Sequence, residues 1–252
     1  MVYFVGAGPG AVDLITVRGC ELLKKADVVI YAGSLVNPEL LSYTKDSCKI
    51  FNSASMTLED VLEVITKEYD ECKTIVRLHT GDPSIYGAIK EQMDLLDEQK
   101  IEYCVVPGVS SFCGAAAVLN AEYTLPQVSQ TVILTRMEGR TAVPRDEDIV
   151  KLASHKASMA IFLTTSMLDR LSNKLIEGGY TDKTPAAIVY KATWPEEKTV
   201  NTTVGNLYKS ALENNISKTA LILVGDFLSC EYKRSKLYDS KFSHEFRKAK
   251  DT

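Results

Sequence analysis

Short β-branched, apolar runs alternate with helix-length amphipathic segments from residue 2 to about residue 224, and this alternation constrains the fold more than any other feature. A strand buried on both faces of a parallel sheet reads as a nearly unbroken apolar run. Joining two such strands takes a long crossover, usually a helix. Residues 2–5, 28–31, 74–78 and 103–106 are runs of this kind. Between them, Thr16 caps a helix carrying Val17, Cys20, Leu22, Leu23 and Ala26. Thr57-Leu58-Glu59-Asp60 reads as a capping box ahead of Val61, Leu62, Ile65 and Tyr69, and a third helix is expected over 84–99. A second series follows Asn120, with strands expected at 131–135, 159–163, 186–190, 199–204 and 219–224. There Ser166-Met167-Leu168-Asp169 caps a helix bearing Leu171, Leu175 and Ile176 that stops at Gly178-Gly179. The polar alternation at 199–204 marks a half-exposed strand of the kind antiparallel sheets carry. The pattern predicts an α/β protein with mainly parallel sheets. It divides into two α/β domains, 1–120 and 121–230, and a polar tail, 231–252, that reads as a frayed end.

Composition narrows the function. The chain has 252 residues, 45% of them hydrophobic and 25% charged, which excludes collagen, coiled coil and general disorder. Its 29 Lys and Arg against 33 Asp and Glu leave a net charge of −4, which argues against non-specific binding to nucleic acid or anionic membrane. The start, Met1-Val2-Tyr3-Phe4-Val5, lacks the basic region of a secretory signal. The longest uncharged run, 103–121, contains Pro107, Gly108, Gly114 and Asn120, and reads as a strand, a turn and a small-residue helix rather than a membrane span. Six cysteines (20, 48, 72, 104, 113 and 230) form no Cys-x-x-Cys pair and read as reduced thiols of a cytoplasmic protein. With only three histidines (79, 155 and 244), no protein-bound metal is expected.

Four loops stand where strands end. Gly6-Ala7-Gly8-Pro9-Gly10-Ala11 satisfies the dinucleotide pattern G-x-G-x-x-[G/A]. However, Pro9 lacks an amide, the helix opens only near Thr16, and the second strand ends in Tyr31-Ala32-Gly33 without an acid for a ribose. His79-Thr80-Gly81-Asp82-Pro83-Ser84-Ile85-Tyr86-Gly87 follows a strand, where parallel sheets bind ligands, although Asp82-Pro83-Ser84 also reads as a plain turn. His79 reads equally as a structural hydrogen-bonder or a catalytic base. In Val106-Pro107-Gly108-Val109-Ser110-Ser111-Phe112 a serine caps the next helix or touches a ligand; the flanks do not make a nucleophile elbow. Arg136-Met137-Glu138-Gly139-Arg140, with Arg145 nearby, suits a ligand with several carboxylates, since guanidinium pairs carboxylate bidentately; its alternative is a solvated loop.

Taken together, the loops resemble the tetrapyrrole methylases, which use S-adenosylmethionine. The resemblance rests on Val5-Gly6-Ala7-Gly8-Pro9-Gly10, on Arg77-Leu78-His79-Thr80-Gly81-Asp82-Pro83, on Val106-Pro107-Gly108-Val109-Ser110-Ser111 and on Thr219-Ala220-Leu221-Ile222-Leu223-Val224-Gly225. Tyr31-Ala32-Gly33-Ser34-Leu35-Val36 and Thr135-Arg136-Met137-Glu138-Gly139-Arg140-Thr141 resemble the cobalamin branch, in which precorrin-4 or cobalt-precorrin-4 is methylated at carbon 11. The resemblance implies a homodimer whose cofactor folds into the cleft between the domains. It places cofactor contacts on Pro9, Thr80, Gly81, Asp82, Ile85, Ser110, Ser111, Leu163, Ala192, Ala220 and Leu221. Substrate contacts fall on Tyr31, Arg136, Met137 and Arg140. It also makes the glycine loop a wall of the substrate trough rather than a phosphate cradle. No catalytic base is named by the sequence. The rivals are a methylase of the same fold acting on uroporphyrinogen, another precorrin, protein or ribosomal RNA; a non-catalytic cofactor-binding or scaffold protein; and a nicotinamide enzyme.

Overall fold

A computed structural model describes residues 1–69, 72–229, 231–232 and 234–249, so Cys230 lies outside the described residues. The chain divides into two compact units: Met1–Val118 with Lys191–Lys198, and Leu119–Tyr190 with Thr199–Thr252. The segment Lys191–Lys198 packs with the first unit, although it lies within the expected second domain, 121–230.

The first unit runs β1 (Val2–Gly6), α1 (Val17–Lys25), β2 (Val28–Tyr31), β3 (Lys49–Asn52), α2 (Leu58–Glu68), β4 (Ile75–His79), α3 (Ile89–Glu98), β5 (Tyr103–Val106) and α4 (Ser111–Val118). Its sheet has the order β3-β2-β4-β1-β5, with every pair parallel. Alternate strand residues take opposite faces: Phe4, Ile30 and Ile75 pack with Leu62, Ile65 and Leu96, whereas Val5, Val29 and Val76 pack with Leu23 and Ala26. Thus α2 and α3 cover one face and α1 the other. The connection leaving β1 runs toward β2, and the one leaving β4 runs back past β1 to β5. Right-handed crossovers of opposite direction place their helices on opposite faces. The adjacent strands β1 and β4 therefore flank a switch point, where ligands bind beyond the strands' carboxyl ends.

Local chemistry sets most boundaries. The Gly19 amide donates to Thr16 Oγ1 (3.1 Å), and at α2 the Asp60 amide donates to Thr57 Oγ1 while the Thr57 amide donates to Asp60 Oδ2. Two expectations change. β3 was not anticipated, because Lys49-Ile50-Phe51-Asn52 is a mostly exposed edge strand with polar ends. The helix expected from residue 84 begins only at Ile89: Tyr86 and Ala88 take positive φ (56° and 49°), and the Ser84 amide is captured by the Asp82 side chain.

The second unit runs β6 (Val132–Arg136), α5 (Ile149–Ala153), β7 (Ser158–Phe162), α6 (Leu168–Glu177), β8 (Pro185–Tyr190), β9 (Lys198–Thr203), α7 (Leu207–Glu213) and β10 (Ala220–Val224). Its sheet has the order β6-β7-β10-β8-β9; β6 pairs parallel with β7, and β10 runs antiparallel to both β7 and β8. Across the two sheets the pairs are mainly parallel. Met159, Ile161, Ile188 and Ile222 form one core with Leu168, Leu171, Leu175 and Leu207. The C-terminus of α6 closes with Gly179 and Tyr180 amides donating to Ile176 and Leu175 carbonyls, with Gly179 at φ 113°. Its start differs from expectation: Ser166 sits inside a 3-10 turn, Thr165–Met167, and does not cap the helix. The tail carries local order where a frayed end was expected, since Arg247 donates to the Leu237, Asp239 and Phe242 carbonyls. Among the described residues, no helix is long and apolar enough to cross a membrane.

Candidate active site

Three loops leave the neighbouring strands β4, β1 and β5 at their carboxyl ends and interlock. The Ala7 amide donates to the His79 carbonyl (2.7 Å), and Gly8 and Gly81 exchange backbone bonds (3.3 and 2.9 Å). Gly81 needs its glycine for a φ of 61°. Gly108 needs its own for close approach: a Cβ there would clash with the Gly81 carbonyl oxygen and lie 2.7 Å from Gly6 Cα. Of the glycines that mimic a dinucleotide pattern, Gly6 lies where a Cβ would meet Gly108 Cα at 2.5 Å and Gly8 takes a φ of 81°, so loop packing explains both.

Asp82 fastens the second loop to the third. Its Oδ1 accepts from the Ser84 amide (2.8 Å) and the Ser84 hydroxyl, and its Oδ2 from the Gly108 amide (2.9 Å). Burial pushes this carboxyl's pKa up, but the Ser84 hydroxyl and the Gly108 and Ser84 amides outweigh it and hold it below the ordinary value. Both oxygens already serve the loops, so Asp82 shapes the site. Beside it, the Thr80 hydroxyl is buried with no hydrogen-bond partner. An unsatisfied buried hydroxyl costs about 1–3 kcal/mol, which a ligand that pairs with it returns. Ser110 is buried and Ser111 half-buried, and a Cβ on Gly81 would lie 3.4 Å from Ser110 Cα and 3.5 Å from Ser111 N, while the Ile85 amide donates to the Asp82 carbonyl (3.2 Å), so all three border the same loop ends.

His79 faces the side of the sheet covered by α2 and α3, with its ring 5.9 Å from that of Phe4. It is 4% exposed and its Nε2 has no partner. Burial, then the charge on Arg77, pushes its pKa down to about 3. Such a group is neutral and weakly basic at neutral pH, which does not suit general-base catalysis, and with Nε2 unpartnered the ring serves as packing rather than as the expected hydrogen-bonder. Arg77 is itself buried; its Nε donates to Gln92 Oε1 (3.2 Å) and its guanidinium to the Ile30 carbonyl (3.2 Å), and burial lowers its pKa to about 10.

The remaining first-unit residues lie close to these loops in sequence or contact. Pro9 is buried within the glycine loop, and Ala192 is buried with its carbonyl oxygen where a Cβ on Gly10 would reach (2.8 Å). Tyr31 ends β2, half-buried, its carbonyl accepting from the Ser53 hydroxyl (3.1 Å).

In the second unit, Leu163 follows β7 at φ 53° and is 64% exposed. A leucine in the left-handed region, with its side chain in solvent, is strained at a point where packing does not require it. Leu221 is buried in β10, and the Ala220 carbonyl accepts from Thr165 Oγ1 (3.0 Å). The arginine loop splits by role. Arg136 donates to the Thr141 (3.1 Å) and Ala142 (2.6 Å) carbonyls and so braces its own loop, whereas Arg140 is exposed. Met137 is 2% exposed and part of the core, its amide donating to Thr164 Oγ1. Sequence reasoning missed the Gly108 amide as the partner of Asp82 and missed Trp194, whose indole reaches the Pro9 carbonyl. The only signal for the latter was an isolated tryptophan between two strands.

Comparison with known proteins identifies relatives. The family described as Tetrapyrrole (Corrin/Porphyrin) Methylases matches residues 1–208. A cobalt-precorrin-4 C(11)-methyltransferase from Methanocaldococcus jannaschii is 52% identical over 249 residues, covering 98% of this chain and 96% of the relative. The X-ray structure of a cobalamin biosynthetic enzyme, cobalt precorrin-4 methyltransferase, aligns with a TM-score of 0.88 at 46% identity, covering 91% of this chain and 96% of that one. A uroporphyrin-III C-methyltransferase from Thermus thermophilus, complexed with S-adenosylhomocysteine, shares the fold at a TM-score of 0.76 and 23% identity, over 90% and 93% of the two chains.

Proposed function

The chain belongs to the tetrapyrrole (corrin/porphyrin) methylases, and from that premise we propose that it catalyses S-adenosylmethionine-dependent methylation of cobalt-precorrin-4 at carbon 11 in cobalamin biosynthesis. Relatives named for that reaction, at 52% and 46% identity over nearly the whole chain, support the substrate. The observation that carries the reading is the buried, unpartnered Thr80 hydroxyl, set where three loops converge at the switch point of a parallel sheet. A nucleoside with an amino-acid arm brings the polar atoms such a hydroxyl lacks, so the residues present fit the donor. A protein of the same fold, solved with S-adenosylhomocysteine, supports the same cofactor.

Bound S-adenosylmethionine supplies a methyl group already activated on a sulfonium. The chain's own task is then to hold two molecules in line and keep water out, and such positioning replaces a bimolecular encounter with a near-attack arrangement at about 3–3.5 Å. Thr80, Gly81, Ile85, Ser110, Ser111, Pro9 and Ala192 hold the donor, while Asp82 keeps two of their loops in register. Within the second unit, Leu163 takes the left-handed region and presents its side chain outward. Arg140 grips the macrocycle's acetate and propionate groups from a loop braced by Arg136, with Met137 supporting that loop from the core. The working form is a cytoplasmic homodimer.

The test is incubation of the purified protein with methyl-labelled S-adenosylmethionine and cobalt-precorrin-4, precorrin-4 or uroporphyrinogen III, with the new methyl located by NMR. One label at carbon 11 of cobalt-precorrin-4 is expected. Preferred turnover of cobalt-free precorrin-4 overturns the metal assignment, and turnover of uroporphyrinogen alone overturns the substrate.

A further inference from the structure

The chain has a single tryptophan, Trp194, in the segment Lys191–Lys198 that packs with the first unit. Its indole N–H donates to the Pro9 carbonyl (3.0 Å), and the Ala11 amide donates to Thr193 Oγ1 (3.0 Å). Between these two bonds, the Gly10 carbonyl accepts from Asn37 Nδ2 (2.9 Å). A Cβ on Gly10 would lie 2.5 Å from Trp194 Nε1 and would clash with the ring, so only glycine lets the indole lie on this backbone. Three successive residues of the glycine-rich loop are thus held by side chains from remote parts of the sequence.

The segment that reaches them is itself forced into place. Lys191 and Thr193 take positive φ (45° and 68°), which for a β-branched threonine is a true outlier costing about 1–3 kcal/mol. The Glu197 carboxylate holds the turn by accepting the Thr193 amide (2.6 Å), and Lys191 Nζ sits 5.0 Å from the centre of the indole and 3.3 Å from Glu196. Strain of this kind persists only where surrounding contacts over-determine it.

We propose that Thr193 and Trp194 form a clamp that positions the glycine-rich loop as the wall against which the macrocycle lies; both are positioning residues for methyl transfer. This inference rests on the functional reading above.

The test compares wild type, Trp194→Phe, Thr193→Val and the conservative Thr193→Ser. Three quantities are read: KM and kcat for cobalt-precorrin-4, Kd for S-adenosylhomocysteine by calorimetry, and amide hydrogen exchange across residues 6–11. Removing one clamp hydrogen bond should speed exchange in this loop alone by about fivefold, raise the macrocycle KM about fivefold and, because Pro9 also borders the donor, raise Kd by a smaller factor. Thr193→Ser should restore all three. Unchanged exchange in Trp194→Phe and Thr193→Val, or faster exchange without a rise in KM, overturns the clamp. Failure of wild type to methylate any tetrapyrrole overturns the functional reading instead. In that case exchange decides the clamp, which stands only if the acceleration is confined to this loop.

Discussion

Replacing His79 with leucine should remove part of the stability this protein loses on mild acidification. In the folded chain the imidazole is 4% exposed, lies against Phe4 and has a buried guanidinium nearby; burial first and Arg77 second hold its pKa at about 3, against 6.5 for a free histidine. The unfolded chain therefore takes up a proton near pH 6.5 that the folded chain refuses until about pH 3. The contribution of the neutral ring is complete above pH 6.5 and is lost progressively as pH falls toward 3. Each pH unit in that window costs about 1.4 kcal/mol, so acidification from pH 8 to pH 5 costs about 2 kcal/mol through this residue. Urea unfolding of wild type and His79→Leu at both values isolates it, because other titrating groups cancel in the comparison. Wild type should lose about 2 kcal/mol more than the variant between pH 8 and pH 5. Equal losses would refute the argument, and would mean that the folded site accepts a charged imidazole.

Asp82→Asn should lower stability by about 1–3 kcal/mol and weaken S-adenosylhomocysteine binding, because an amide cannot accept from both Ser84 and Gly108; chemical denaturation and calorimetry read both effects. Since its folded pKa is lowered, Asp82's contribution is present above the ordinary carboxylate value of 3.8 and lost as pH falls through the lowered one, so the gap between wild type and this variant should close in strong acid. Gly108→Ala forces a methyl into the Gly81 carbonyl and should cost about 1–3 kcal/mol in thermal unfolding, with loss of donor binding. Arg140→Ala should raise the macrocycle KM and leave Kd for S-adenosylhomocysteine unchanged. Arg136→Ala should do the same and also speed proteolysis or exchange across 137–142, because Arg136 braces that loop's carbonyls.

What could be read from the sequence depended on whether an interaction is local. The runs at β1, β2 and β4 announce themselves because both faces of those strands are buried, and Thr16 and Thr57 cap helices through partners three residues away. β3 escaped because an exposed edge strand carries no apolar signature. The stretch 84–88 reads as the start of a helix, yet Tyr86 and Ala88 take the left-handed region and Asp82 takes the Ser84 amide. Loops at strand ends were visible as candidates, and the orphaned Thr80 hydroxyl lies in one of them. Nothing local hints that Trp194 answers Pro9 across 185 residues, nor that Arg136 turns inward to its own loop while Arg140 stays open.

The most direct measurement is a crystal structure of the protein soaked with S-adenosylhomocysteine. Density for the nucleoside is expected at the loop ends of β4, β1 and β5, with the Thr80 hydroxyl hydrogen-bonded to it and the Asp82 clasp on Gly108 intact. Density at any other place, with Thr80 still unpartnered, would contradict this expectation.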